Sequence, residues 1–257
     1  MNKMSVIITT YHQRDFTVNA IRSYLKFCPD DLDLKLIVVE NSNDTSYKDE
    51  VLSLGNNIIW VQNDTRMRGA AANAEGVEVV MRYVGNEYVF LSHNDVCIYK
   101  NFFKAMREKV AEGNRLIGTC MDTAQERNQS IIILGCLVDP EIVRAVDLYP
   151  TPYIAGAPAG TCFECGDRVH LYCKEHNIKH YCFKSTHNNP EIIDSIPEPF
   201  NDMPFTLRTI DDTGEVIFMH FARGVTKTEG SYYLMSNKKG RWSIPQILEF
   251  CETKVYV

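Results

Sequence analysis

Glu87-Tyr88-Val89-Phe90-Leu91-Ser92-His93-Asn94-Asp95 is the stretch on which the reading of this chain turns. A strand-length run of aromatic and aliphatic residues stops abruptly in four polar ones. Towards the N-terminus the same rhythm repeats. Residues 69–83 read as an alanine-rich helix, and Asn57-Ile58-Ile59-Trp60-Val61 as a strand. Asn41-Ser42-Asn43-Asp44-Thr45-Ser46 is turn chemistry suited to capping a helix. Leu34-Lys35-Leu36-Ile37-Val38-Val39 is mostly apolar, as a strand buried on both faces should be. Residues 17–27 carry Val18, Ile21, Tyr24 and Leu25 at helical spacing, and Pro29-Asp30-Asp31 ends that helix. Ser5-Val6-Ile7-Ile8-Thr9-Thr10 is the first strand.

Strand and helix in strict alternation imply crossover units on a mostly parallel sheet flanked by helices. Such sheets bind ligands beyond the carboxyl ends of their strands. The polar clusters fall at those ends: Tyr11-His12, Glu40-Asn41 and His93-Asn94-Asp95.

Past Asp95 the pattern loosens into a smaller mixed region. We expect a helix over 101–112, strands over 116–120 and 131–134, and a short helix over 140–146. A proline- and glycine-rich loop over 150–160 leads to a strand over 161–165 and a helix over 167–176. The polar stretch 185–203 is expected to be a mobile, functional loop. A strand over 215–219 ends at His220, and a short helix covers 244–252.

Composition bounds the function. The 257 residues are 45% hydrophobic and 23% charged, a globular balance. A net charge of -6 and a pI of about 5.7 argue against a broad nucleic-acid footprint, yet leave room for a small anion site. Met1-Asn2-Lys3-Met4 runs straight into a strand, and no apolar run reaches the roughly 20 residues of a spanning helix. We therefore expect a cytoplasmic protein without a transmembrane segment. Its nine cysteines, odd in number, should be reduced and mostly core fillers.

Several residues could carry chemistry. Asp95 at a strand end suits an oxygen-ligated Mg2+ or Mn2+, or serves as a strand cap. Glu40 could accept hydrogen bonds from a ribose or base, or open the next helix. His220 could complete a metal shell or sit as a core imidazole. Arg223, Lys227, Lys238, Lys239 and Arg241 could clamp a diphosphate or form a solvated basic surface. Asp202 suits a general base or a helix cap. Cys162, Cys165, His170, Cys173, His176, His180 and Cys182 invite a zinc reading. Alternation along a strand over 161–165 would send Cys162 and Cys165 to opposite faces, against a shared ion.

Together these residues resemble the family-2 glycosyltransferases of GT-A fold, over most of residues 4–225. Val6-Ile7-Ile8-Thr9-Thr10-Tyr11-His12 resembles the family's first strand, which ends Pro-Thr-Tyr-Asn, with Thr9 and His12 replacing proline and asparagine. Ile37-Val38-Val39-Glu40-Asn41-Ser42-Asn43-Asp44 resembles "IVVDNGSTD", with Glu40 at the base-binding aspartate and the turn one residue short. Arg68-Gly69-Ala70-Ala71-Ala72-Asn73 resembles "NRGFAAARN". Tyr88-Val89-Phe90-Leu91-Ser92-His93-Asn94-Asp95-Val96 resembles "YVLLLNNDV", putting Asp95 at the metal-binding acid and His93 where the first acid of Asp-x-Asp would stand. Asn201-Asp202-Met203-Pro204-Phe205-Thr206-Leu207-Arg208 resembles "EDVDFCLR" without its flanking acids, and His220 resembles a histidine near the end of the catalytic domain.

The resemblance implies a metal-dependent, inverting transfer from a UDP-, GDP- or dTDP-sugar to a glycan, lipid-linked or protein acceptor, as in polysaccharide biosynthesis. Residues 1–95 would be the nucleotide-sugar half and 96–257 the acceptor half of one domain. Thr9, Thr10, Tyr11, Glu40, Arg68 and Asn94 would bind the donor, and Asp95 and His220 a Mn2+ or Mg2+ ion. Asp202 would be the base, with Arg223 and Lys227 on the diphosphate. Peripheral membrane contact stays open. The alternatives are a degenerate nucleotide-sugar-binding protein, a nucleotidyltransferase on a related sheet, and a zinc-dependent interaction module built on 162–180. The nucleotidyltransferase should carry a glycine-rich basic loop after the first strand, where this chain has Tyr11-His12-Gln13-Arg14-Asp15.

Overall fold

A computed structural model describes residues 1–122, 129–152, 154, 157–158, 160–202, 207–221 and 242–257. Four parallel strands form its centre: β1 (Lys3–Thr10), β2 (Asp33–Glu40), β3 (Ile58–Gln62) and β4 (Tyr88–His93). Helices α1 (Arg14–Lys26), α2 (Lys48–Ser53) and α3 (Ala70–Val80) make the crossovers. A second sheet begins with β5 (Val96–Ile98), and α4 (Phe102–Ala111) follows. Strands β6 (Leu116–Gly118), β7 (Cys136–Val138) and β8 (His180–Cys182) extend the first sheet to the order β3-β2-β1-β4-β7-β6-β8. Only the pairings on either side of β7 are antiparallel. Strands β9 (Lys184–Ser185), β10 (Leu207–Ile210) and β11 (Val216–His220) pair with β5 in an antiparallel sheet of order β5-β11-β10-β9. Short helices α5 (Pro140–Arg144), α6 (Asp167–Glu175) and α7 (Ile244–Phe250) complete the fold.

The core is split by the main sheet. Val6, Ile8, Leu36, Val38 and Phe90 point to the face covered by α1 and α4. Their neighbours Ile7, Ile37, Val39, Val89 and Leu91 point to the face covered by α3, α5 and α6. Alternate residues of an unbroken apolar run thus fill opposite layers, each contributing roughly 1.5–3 kcal/mol when fully buried. A third cluster, with Phe16, Phe200, Phe221 and Phe250, joins α1, α7 and the second sheet. All nine cysteines are free thiols, and seven of them are buried. Among the described residues no helix is long and apolar enough to cross a membrane.

Two expectations for the second half are corrected. Residues 131–134 form no strand: Ile131 makes one isolated bridge to Met121, and the strand is β7, just beyond. Gly135 sets that offset, with φ +142 and a position where a Cβ would lie 2.6 Å from Thr119 Oγ1. Residues 161–165 also form no strand; they descend into a turn at Gly166 (φ +83) that opens α6. The stretch 185–203 carries two 3-10 turns, Pro190–Ser195 and Phe200–Asp202, and is pinned by buried Ile196 and Phe200.

His170 on α6 is only 2% exposed. Its Nδ1 accepts the Ile131 N–H at 3.1 Å, while its Nε2 is buried without a hydrogen-bond partner. Burial first, then Lys174 and His180, push its pKa down to about 3. The unfolded chain holds that proton near pH 6.5, so the neutral imidazole costs nothing above 6.5 and destabilises the fold as pH falls from there to about 3. By pH 4.5 the loss should be on the order of 2 kcal/mol. Urea midpoints between pH 7 and 4.5 should fall more steeply for the wild type than for His170→Gln; equal slopes would contradict this role.

Candidate functional site

Among the four central strands the order reverses once. The chain steps from β1 outward to β2 and β3, then returns to lay β4 on the other side of β1. Loops leaving the carboxyl ends of β1 and β4 therefore diverge, and a crevice opens between them. The loops around it carry Tyr11 and His12 at an exposed rim, His93 half-buried, and Glu40 to Ser42, Asn94 and Asp95 buried below them.

Asp95 sits where one sheet hands over to the other. The next residue, Val96, pairs with His220, and the Phe221 N–H donates to the Asp95 carbonyl at 2.9 Å. This ladder delivers His220 to Asp95: Nε2 lies 3.2 Å from Oδ1. The His93 ring stacks on His220, with centroids 5.3 Å apart and planes 15° from parallel. Asp95 is buried at 3% exposure, and the His220 side chain is 19% exposed.

The carboxylate oxygen is a ligand that Mn2+ and Mg2+ share, and the imidazole nitrogen is a second donor beside it. Adjacent ligands of an octahedral ion, with bonds of about 2.1 Å, stand about 3 Å apart. The Asp95–His220 contact is an acid–imidazole ion pair, and its 3.2 Å separation matches the spacing of two such adjacent ligands. Among the described residues no group of three or more His, Cys, Asp and Glu side chains gathers as a metal site. An ion here would take its remaining ligands from a bound diphosphate and water.

Beneath the rim runs a buried polar network. Glu40 has no exposed surface. Its Oε1 accepts the Ser42 N–H at 2.9 Å and the His12 N–H at 3.4 Å, and its Oε2 accepts the Tyr47 hydroxyl. Tyr47 Oη lies 3.3 Å from Thr10 Oγ1. Asn94 Nδ2 donates to Thr10 Oγ1 at 3.1 Å, and also reaches Thr17 Oγ1 at 3.3 Å and the Gln13 carbonyl at 3.4 Å. Thr9 is buried, its hydroxyl 3.4 Å from the Ser92 carbonyl. Tyr47 was not anticipated; the available signal was a lone hydroxylated aromatic closing the polar turn after Glu40.

The exposed part of the site is different. Tyr11 is 48% exposed, its ring edge-on to His12 at 4.7 Å. His12 takes a left-handed conformation (φ +52), and its Nδ1 lies 3.3 Å from Asp44 Oδ2. Hydrogen bonds from Ser46 first, then His12, hold the Asp44 carboxyl below its usual range. Arg68 is exposed just ahead of Gly69, which starts α3. Gly76 of α3 packs against Asn41, whose Oδ1 would be 2.8 Å from an added Cβ.

The Asp202 backbone ends the second 3-10 turn, whose Phe200 packs on Tyr99 at 4.9 Å and accepts Arg208 Nη1 at 2.9 Å. The Asp202 side chain, Arg223, Lys227, Lys238, Lys239 and Arg241 lie outside the described residues. The cysteine and histidine group does not converge. Cys162 Sγ accepts the Ile154 N–H at 3.3 Å, Cys165 and Cys173 are core, and His176 stacks on Tyr172 at 4.0 Å. Burial pushes the Cys173 and Cys182 thiols up to about 11 and about 12, so they stay protonated.

No protein-family model and no curated protein sequence matches the chain. Among solved structures it resembles the mannosyltransferase PcManGT from Pyrobaculum calidifontis in complex with GDP-Man and Mn2+. That match has a TM-score of 0.50 and 11% identity, and covers 70% of this chain and 54% of that one. It also matches S. aureus TarS 1-349, with a TM-score of 0.46, 17% identity, and coverage of 58% and 50%. The chain thus spans about half the length of these structures. The fold is the GT-A type, with a mostly parallel seven-stranded sheet flanked by helices.

Asn94→Ala would remove the donor that ties the turn after β4 to Thr10, Thr17 and the Gln13 carbonyl, and would leave a small buried gap, while Thr17 keeps its own bonds to Thr10 and Gln13. Urea unfolding should show a loss of about 1–3 kcal/mol. Tyr11→Ala, on the open rim, should change stability by no more than about 0.5 kcal/mol. Equal effects would mean that the network is not part of the fold's support.

Proposed function

We propose that this chain is a glycosyltransferase that moves a sugar from a UDP-, GDP- or dTDP-sugar onto a glycan, lipid-linked or protein acceptor. The observation that carries this reading is the Asp95–His220 pair at the reversal point of a GT-A sheet. Residues 1–95 form the donor half and 96–257 the acceptor half.

Tyr11, exposed on the rim, and Arg68, exposed just before α3, contact the nucleotide. Thr9, Thr10, Glu40 and Asn94 make the floor beneath it. Asp95 and His220 would hold the divalent ion, Mn2+ or Mg2+. When bound, that ion neutralises charge on the departing nucleoside diphosphate. Arg223 and Lys227 add positive charge to the same group. Asp202 accepts the proton of the acceptor hydroxyl as it attacks the anomeric carbon from the face opposite the leaving group, inverting the configuration.

A second reading, a nucleotide-sugar-binding protein without turnover, is favoured by one feature. His93 stands where a second acid would be, so the His93-Asn94-Asp95 motif offers an ion one carboxylate rather than two.

Thermal unfolding with UDP, GDP and dTDP, each with and without Mn2+, tests the donor site. One nucleotide should stabilise the chain by about 2.7 kcal/mol at a hundredfold excess over its Kd, only with Mn2+, and not in Asp95→Asn. Asp202→Asn should keep that stabilisation and slow donor turnover about 10²–10⁴-fold. No response to any nucleotide overturns the reading. Nucleotide binding with no donor turnover by the wild type selects the binding protein instead.

A further inference from the structure

Glu40 occupies the position from which an acid would reach up to a nucleotide base, yet its carboxylate has no exposed surface. Three protein donors already meet it: the Ser42 and His12 backbone N–H groups and the Tyr47 hydroxyl. Its longer side chain, one methylene more than an aspartate, lets the carboxylate fold back beneath its own turn.

The donors form a directed chain. Asn94 Nδ2 donates to the Thr10 hydroxyl, Thr10 can donate to Tyr47, and Tyr47 donates to Glu40. Each bond polarises the next towards the carboxylate. Tyr47 is 2% exposed and wedged edge-on against Trp60 at 5.1 Å, so its hydroxyl has little freedom to leave. Burial first, then the neighbouring Glu40, raise the Tyr47 pKa, which keeps the hydroxyl a donor.

One end of the chain lies on β2 and the other in the turn after β4. At one end Glu40 holds the left-handed His12 turn by its N–H, and the exposed Tyr11 ring leans on His12. At the other end Asn94 is the neighbour of Asp95. We propose that Glu40 is a positioning residue locked by Tyr47, not a nucleotide ligand, and that the Glu40–Tyr47–Thr10–Asn94 chain holds the His12 turn in register with the Asn94–Asp95 turn. This rests on the donor-site reading for its consequence in binding, but the coupling itself is a property of the free chain.

The test combines amide hydrogen exchange on the free chain with calorimetric titration of UDP, GDP and dTDP in Mn2+. Tyr47→Phe keeps the ring and deletes the link. It should speed exchange at Ser42 and His12, and also across residues 93–97, by tenfold or more, with circular dichroism unchanged. It should weaken every nucleotide that the wild type binds by one common factor of about ten, leaving their ranking intact. Glu40→Gln should leave the ranking intact as well. Thr10→Val cuts the same chain at its midpoint and should reproduce the exchange pattern if Tyr47→Phe fails to fold. Faster exchange confined to 40–48, with 93–97 unchanged, overturns the coupling. A reordered nucleotide ranking in Glu40→Gln, with wild-type affinity in Tyr47→Phe, makes Glu40 the base reader and overturns its positioning role. If the wild type binds no nucleotide, the donor-site reading falls alone, and the exchange pattern still decides the coupling.

Discussion

Strand β1 has no solvent face. From Met4 to Thr10 every residue is buried, one row against α1 and α4 and the other against α3. Both edges of the strand are also used, by β2 and β4 in parallel. A parallel neighbour can only be reached by a crossover, so this one strand forces the helices onto both faces and the loops onto both ends. It also forces the reversal: with β2 and β3 already on one side, β4 must lie on the other, and the crevice follows.

The second constraint is the handover at Asn94–Asp95. Strand β4 of the first sheet ends at His93 and β5 of the second begins at Val96, so two residues carry the change of direction. Such a joint between rigid sheets is held on every side. Asn94 is tied to β1 and the start of α1, Asp95 to the end of β11 by backbone and side chain. The joint is placed by two folded layers, and the acid–imidazole pair inherits its rigidity from them.

This history explains what the sequence disclosed and what it hid. In the first half, local signals agree with the global arrangement: apolar runs become two-faced strands, and the polar residues after them become the rim. The meeting of Asp95 with His220 is different, because only the non-local β5–β11 pairing brings them together. Residues 131–134 and 136–138 are both short apolar runs separated by Gly135, and only the second finds partners on both sides, in β4 and β6. Thr161-Cys162-Phe163-Glu164-Cys165 has strand composition, but the turn at Gly166 and the start of α6 override it. Residues 185–203 look like open polar loop because their anchors, Ile196 and Phe200, are few and widely spaced. Tyr47 reads as an ordinary core aromatic until its hydroxyl is seen between Glu40 and Thr10.

The unpaired thiols add a consequence of their own. Seven of nine are sealed inside the folded chain, where an oxidant meets almost none of them. Unfolding releases all nine at once into a flexible polymer, where random cross-linking competes with refolding. In air the route out of the native state is therefore a one-way street, and its durability is governed by how rarely the molecule opens rather than by the depth of its free-energy well.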